Sequence, residues 1–260
     1  MPSAAFVNHV QKEKSGPDDP ELLETLQEAL TEVDAVDLLI VAGELAARQV
    51  RFTELLAAPD AWEETDLVWL TQAVTPSRKK ARALLEGLAG VDMAVLVPTL
   101  LDESRPLAAR FGWFVEQLGD MDVRLRVELA GGLLHAASPR DRWLWTRWMW
   151  DPRTTTGVLP LLSGSTVNLQ AEMIGEEYMR VGSVTAVAMG FAEKTELLTP
   201  GLVEDPQRSP FAPDVFLACV YGIYLYGITN WRLSREYNRL LPTLPNLMRK
   251  LLGLPKVSGQ

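Results

Sequence analysis

Histidine, cysteine and grouped carboxylates are the side chains that most often carry chemistry near neutral pH. This chain of 260 residues has two histidines, His9 and His135, and a single cysteine, Cys219. His135 follows Gly131-Gly132-Leu133-Leu134 in an apolar stretch, with no acid or nucleophile at patterned spacing, so no catalytic triad is read around it. Cys219 sits in an uncharged run, where a thiol behaves as a small hydrophobe. Glu172, Glu176 and Arg180 stand four apart with Glu177 beside them. A di-iron bundle needs Glu-x-x-His pairs, which this segment lacks, so these acids read as solvated i,i+4 charge pairs. No catalytic residue, metal site or cofactor motif is assigned, and the chain leans away from being an enzyme.

Two neighbouring stretches have binding chemistry instead. In Arg142-Trp143-Leu144-Trp145-Thr146-Arg147-Trp148-Met149-Trp150, half of the eight tryptophans fall within nine residues. Trp143, Trp145, Arg147, Trp148 and Trp150 have the composition of a protein-binding hot spot. The competing reading, a segment threaded through the core, is favoured because indoles bury so much apolar area. The run could also form a strand. The second stretch is a hydroxyl-rich loop, 151–166. Arg153 and Thr154 begin it, and Ser163, Gly164, Ser165 and Thr166 end it before a long helical pattern. Hydroxyls and free amides at a helix start, with an arginine nearby, suit an anionic small molecule. A Walker loop is excluded, because there is no Gly-Lys-Ser/Thr.

Charge adds a third surface. The chain carries −9 overall, which argues against broad nucleic-acid binding. From Trp231 to the end, six basic residues face one acid, a local +5 that leaves −14 on the first 230 residues. Such a tail could lie on an anionic membrane surface or dock on an acidic partner. Exposed leucines in its stripe favour packing against the acidic body.

The elements that must position these residues read as helices. Apolar side chains recur at Ile174, Tyr178, Val181, Val184, Ala188 and Phe191, spacings of three and four. Asp19-Pro20, Thr75-Pro76, Ser138-Pro139 and Thr199-Pro200 look like helix starts. The fold expected is all-α, a multi-helix domain with few turn signals for hairpins. Its parts are a flexible arm at 1–18, a helical half at 19–150, the loop at 151–166 and a second half at 167–260. The uncharged run 215–229 is too short to cross a bilayer as a helix and reads as buried. Gly182, Ala186 and Gly190 on one helix are expected to meet Ala218 and Gly222 on another.

An internal repeat is also expected, about 45–77 against 107–140. Leu45-Ala46-Ala47-Arg48, Phe52, Glu54 and Leu56 match Leu107-Ala108-Ala109-Arg110, Phe114, Glu116 and Leu118 at an offset of 62. A lone cysteine and no secretory signal suggest a reducing, cytoplasmic setting. The function expected is a helical interaction or scaffold protein, with a protein partner or self-association. An anion-binding protein using the 153–166 loop and a peripheral membrane protein using the tail are the alternatives.

Overall fold

Three helix starts are set by side chains that satisfy the first backbone N–H groups. Asp34 accepts from Val36 N at 2.9 Å and opens α1, Ala35–Ala57. Glu63 and Asp66 form a reciprocal capping box at the start of α2, Glu64–Val74. Then follow α3, Arg78–Gly87, α4, Met93–Leu101, and α5, Leu107–Gln117. Asp122 accepts from Arg124 N at 3.0 Å and opens α6, Val123–Ala137. The rest are α7, Val158–Ser163, α8, Ile174–Ala192, α9, Pro200–Val203, α10, Ala212–Asn230, and α11, Leu244–Leu251. This computed structural model describes residues 28, 30, 33–75, 77–164, 167–195, 197–230 and 243–255. The expected arm at 1–18, Ser165 and Thr166, and the tail residues 231–242 and 256–260 lie outside the described residues.

The fold is all-α: the described residues contain no strand, only an isolated bridge between Asp151 and Thr156. Helix α6 forms the axis, in contact with α1 to α5, and every residue from Val127 to Ala136 is buried. Apolar residues from Leu30 to Leu254 join in one hydrophobic core, so the halves on either side of the 151–166 loop share a single interior. In α10, Val215 to Val220 are fully buried, and none of the described helices is long and apolar enough to cross a membrane.

Two glycines let helices or rings come unusually close. A Cβ on Gly175 of α8 would lie 1.9 Å from Ala108 O of α5, so those helices touch backbone to backbone. A Cβ on Gly182 would lie 2.2 Å from the Trp143 ring. That corrects the expected stripe contact. Helices α8 and α10 do touch, yet Gly182 faces Trp143, Gly222 faces Leu244 of α11, and Gly190 has nothing within 4 Å. The indole of an intervening segment takes the space that small residues leave.

The two stretches of the expected repeat occupy different settings, and a two-copy symmetry is not confirmed. Leu45 lies in the middle of the 23-residue α1, whereas Leu107 is the first residue of α5. Ser138-Pro139 opens no helix. Ser138 closes α6, and its hydroxyl donates to Asp141 Oδ2 at 2.8 Å within a turn.

Candidate binding groove

The sequence-derived candidates among the described residues each have a definite place. The stretch 142–150 is irregular, neither strand nor helix, and passes through the interior. Trp143, Trp145, Trp148 and Trp150 are all buried, none more than 7% exposed. Tyr178 stacks on Phe111 at 4.2 Å between centroids and on Trp143 at 4.8 Å. Trp143 Nε1 donates to Tyr178 O at 2.8 Å, and Tyr178 OH donates back to Trp143 O at 3.0 Å. The other indoles are equally satisfied: Trp145 Nε1 on Trp150 O, Trp148 Nε1 on Leu251 O, and Trp150 Nε1 on Glu177 Oε1. With their polar atoms paired inside, these rings can be core without a desolvation penalty. As an aromatic surface the stretch has no exposed indole to offer. Arg147 alone reaches outward, and its guanidinium is held by Asp151 at 2.8 Å.

The hydroxyl-rich loop also differs from the expected helix-start cradle. Asp151 N bonds Thr156 O at 2.8 Å, and Gly157, at φ 139°, lets the turn close against Met149 O. Arg153 and Thr154 are exposed, and Thr154 Oγ1 is bonded to Thr156 Oγ1. Ser163 is buried and donates to Leu159 O at 2.8 Å. Ser163 and Gly164 close α7 instead of opening a helix, and α8 begins only at Ile174. Carbonyls at the end of a helix repel an anion. The described part of the loop therefore lacks the cradle.

Three buried titratable groups, Glu177, Glu128 and His135, turn out to be paired. Glu177 is not a solvated helix acid. It is buried, and burial raises its pKa, while Trp150 Nε1 and the Ala171 backbone oppose that rise. Glu128 holds Lys80 at 2.7 and 3.1 Å, and burial raises its pKa too. His135 does have a partner, Asp214 of α10, with Nε2 2.8 Å from Oδ2. Its Nδ1 lies 2.8 Å from Arg142 O, and since a carbonyl only accepts, that nitrogen carries a proton. Burial pulls the His135 pKa down, but the Asp214 carboxylate and the Arg142 carbonyl outweigh it and leave it raised. Both ring nitrogens are occupied, so the pair joins α6 to α10 and leaves no free nitrogen to act as a base.

A concavity lies elsewhere, in a groove of about 1070 Å³ between α1, α2, α3 and the turn after α11. Helix α1 contributes Glu44, Ala47, Arg48 and Arg51, and α3 contributes Arg78, Ala81, Arg82 and Leu85. Each set follows the i, i+3, i+4, i+7 spacing of one helix face. Helix α2 supplies Val68, Trp69 and Gln72, and Leu254 and Pro255 close one end. The alanines leave room at the base while arginines rise along both walls.

Those arginines have different duties. Arg48 Nη1 donates to Ala73 O at 3.2 Å and Leu252 O at 2.8 Å, binding α1 to the end of α2 and to the C-terminal turn. Burial lowers its pKa to about 10, with Asp214 opposing. Arg51 lies over the Trp69 ring at 4.5 Å and only 3.4 Å from Asp66. Arg82 is 81% exposed beside Glu86, a pair that water screens, and Arg78 is exposed with no ion pair among the described residues. The one acid of the lining, Glu44, is held by Arg249 of α11 through both oxygens. This contact also packs the described part of the basic tail onto the body.

None of these groove residues was read from sequence as a binding residue; Ala47, Arg48 and Thr75 entered only through the expected repeat and a helix start. The signal available was Arg78-Lys79-Lys80-x-Arg82, a dense basic run in an acidic chain, visible only as a basic helix until its facing wall was known. Among the described residues no cluster of His, Cys, Asp or Glu is arranged to hold a metal. Comparison with family models, curated proteins and solved structures finds nothing that matches the chain.

Proposed function

We propose that this chain is a helical interaction protein that receives an acidic segment of a protein partner in the α1–α2–α3 groove. The observation that carries this reading is three outward guanidinium groups, Arg51, Arg78 and Arg82, placed around an apolar-based groove of about 1070 Å³ in a chain of net charge −9. Local positive charge on an acidic body steers an acidic partner to one place and repels it elsewhere. Arginine suits the task, because its fork meets a carboxylate with two parallel bonds. The apolar base supplies the burial that surface charge alone does not.

The role thus passes from the tryptophan stretch, which is core, to a surface that the core supports. The direct test is titration with a labelled synthetic peptide of leucine, alanine and glutamate, alongside its lysine counterpart. The glutamate peptide is expected to bind and to weaken as ionic strength rises. Combining Arg78→Glu with Arg82→Glu should weaken it by at least 1.4 kcal/mol or so, about tenfold. Equal binding of the glutamate and lysine peptides, or indifference to the two substitutions, would refute the proposal.

A further inference from the structure

We infer that the segment received in this groove is an amphipathic α-helix, an apolar stripe with carboxylates on both sides; this rests on the acidic-partner reading above. The argument starts from what the groove offers to a backbone. Its long walls are helix faces, whose N–H and C=O groups are mostly bonded within their own helices, the first turn of α3 and the 253–255 turn excepted, and no strand edge exists among the described residues. Thr71 Oγ1 donates to Val68 O at 3.0 Å, and Thr75 Oγ1 donates to Thr71 O at 2.6 Å, so both hydroxyl protons are engaged. The remaining polar side chains are guanidinium donors, the Trp69 indole, the Gln72 amide and Glu44, whose two oxygens are taken by Arg249. An extended peptide pressed on this base would bury a row of N–H groups against few acceptors, chiefly the Gln72 amide oxygen and the carbonyls of the 253–255 turn. A helix arrives with its backbone already paired.

Size and charge agree with that occupant. A cylinder about 10 Å wide that fills the groove volume would be about 14 Å long, or about nine helical residues. Such a length presents two turns or more, enough for side chains at i, i+3, i+4 and i+7 on Ala47, Ala81 and Leu85. Arg51 stands on one wall, and Arg78 and Arg82 stand on the other. Carboxylates are therefore needed on both flanks of the apolar stripe. Guanidinium groups on opposite walls would hold a helix along the groove, whereas a single basic edge would let it roll.

The test uses the full chain and three labelled synthetic peptides of identical length. The first places leucines on one helical face with glutamates flanking it. The second is the first with two central alanines replaced by proline, which removes the helix and keeps the charge. The third keeps helix and stripe but replaces glutamate by glutamine. The first peptide is expected to bind at least about tenfold more tightly than either of the others and to gain helical circular dichroism on binding. Arg51→Ala and Arg78→Ala should each weaken it several-fold, and light scattering on both variants should match the parent. Equal binding of the first two peptides, both lost on arginine substitution, would keep an acid-binding groove and overturn the helix. No binding by any peptide would overturn both. A protein dimer that Arg78→Glu dissolves, with no peptide bound, would assign the groove to a second copy and likewise overturn the inference.

Discussion

Replacing two glycines of the same helix by alanine should shift stability in opposite directions. Gly190 of α8 is exposed, and a Cβ there meets nothing within 4 Å. Alanine restricts the unfolded chain and favours the helix, so Gly190→Ala should stabilise by about 0.5 kcal/mol near the helix end. Gly182 starts with the same gain of about 0.5–1 kcal/mol. Its new Cβ, however, would fall 2.2–2.4 Å from three atoms of the Trp143 ring, against the usual carbon contact of about 3.5–4.0 Å. The ring cannot retreat freely. It is buried, stacked on Tyr178, and bonded through Nε1 to Tyr178 O. Moving it by an ångström or so (roughly the overlap) loses part of a hydrogen bond of about 1 kcal/mol and of a stack of about 0.5–1.5 kcal/mol. Overpacking of this kind costs about 1–3 kcal/mol, so Gly182→Ala should still be destabilising, by about 0.5–2 kcal/mol once the helix gain is subtracted. Thermal unfolding followed by circular dichroism at matched protein concentration measures both variants, with about 2–4 °C per kcal/mol at this size. A melting temperature that rises alike in both would mean that Gly182 does not face the indole, and the aromatic interior described here would have to be redrawn.

The His135–Asp214 pair predicts a pH dependence of known sign. Since the folded pKa of His135 is raised above 6.5, its contribution is complete below 6.5 and is lost as pH rises through the folded value. Wild type should therefore lose stability relative to His135→Gln as pH climbs above 6.5, and parallel profiles for the two proteins would contradict this. Trp150→Phe removes the donor that Glu177 accepts at 2.6 Å and should cost about 1–3 kcal/mol beyond the smaller ring. Denaturant unfolding of that variant, of Glu177→Gln and of the double variant would show coupling between the two sites, and strict additivity would deny the contact. Lys80→Met leaves Glu128 buried without its cation and should be destabilising by about 1–3 kcal/mol, with Glu128→Gln restoring part of the loss in the same chain.

The contrast between Gly182 and Gly190 shows how much of this molecule could be read from the chain. Both glycines share one small-residue stripe in the sequence, and nothing local tells which is pressed and which is free. Three-to-four spacing of apolar residues did identify α8, and the absence of charge from 215 to 229 did identify the helix α10, buried from Val215 to Val220. Such periodicities are local because a helix closes its own hydrogen bonds within four residues. Helix starts were legible where a proline takes the first helical position, as at Thr199-Pro200 of α9. They failed at Ser138-Pro139, where the same residue types close a turn.

The sequence by itself determined the helical class, because backbone pairing within a helix depends only on near neighbours. It also determined that the tryptophan stretch was exceptional, though not whether it lay inside or outside. Only the tertiary structure decided that four indoles find acceptors in the interior, that His135 meets Asp214 from a helix nearly eighty residues away, and that Arg51 and Arg78 stand on facing walls. Each of these depends on contacts between segments remote in the chain. Such contacts leave no period in the sequence, since the space between two helices belongs to neither of them.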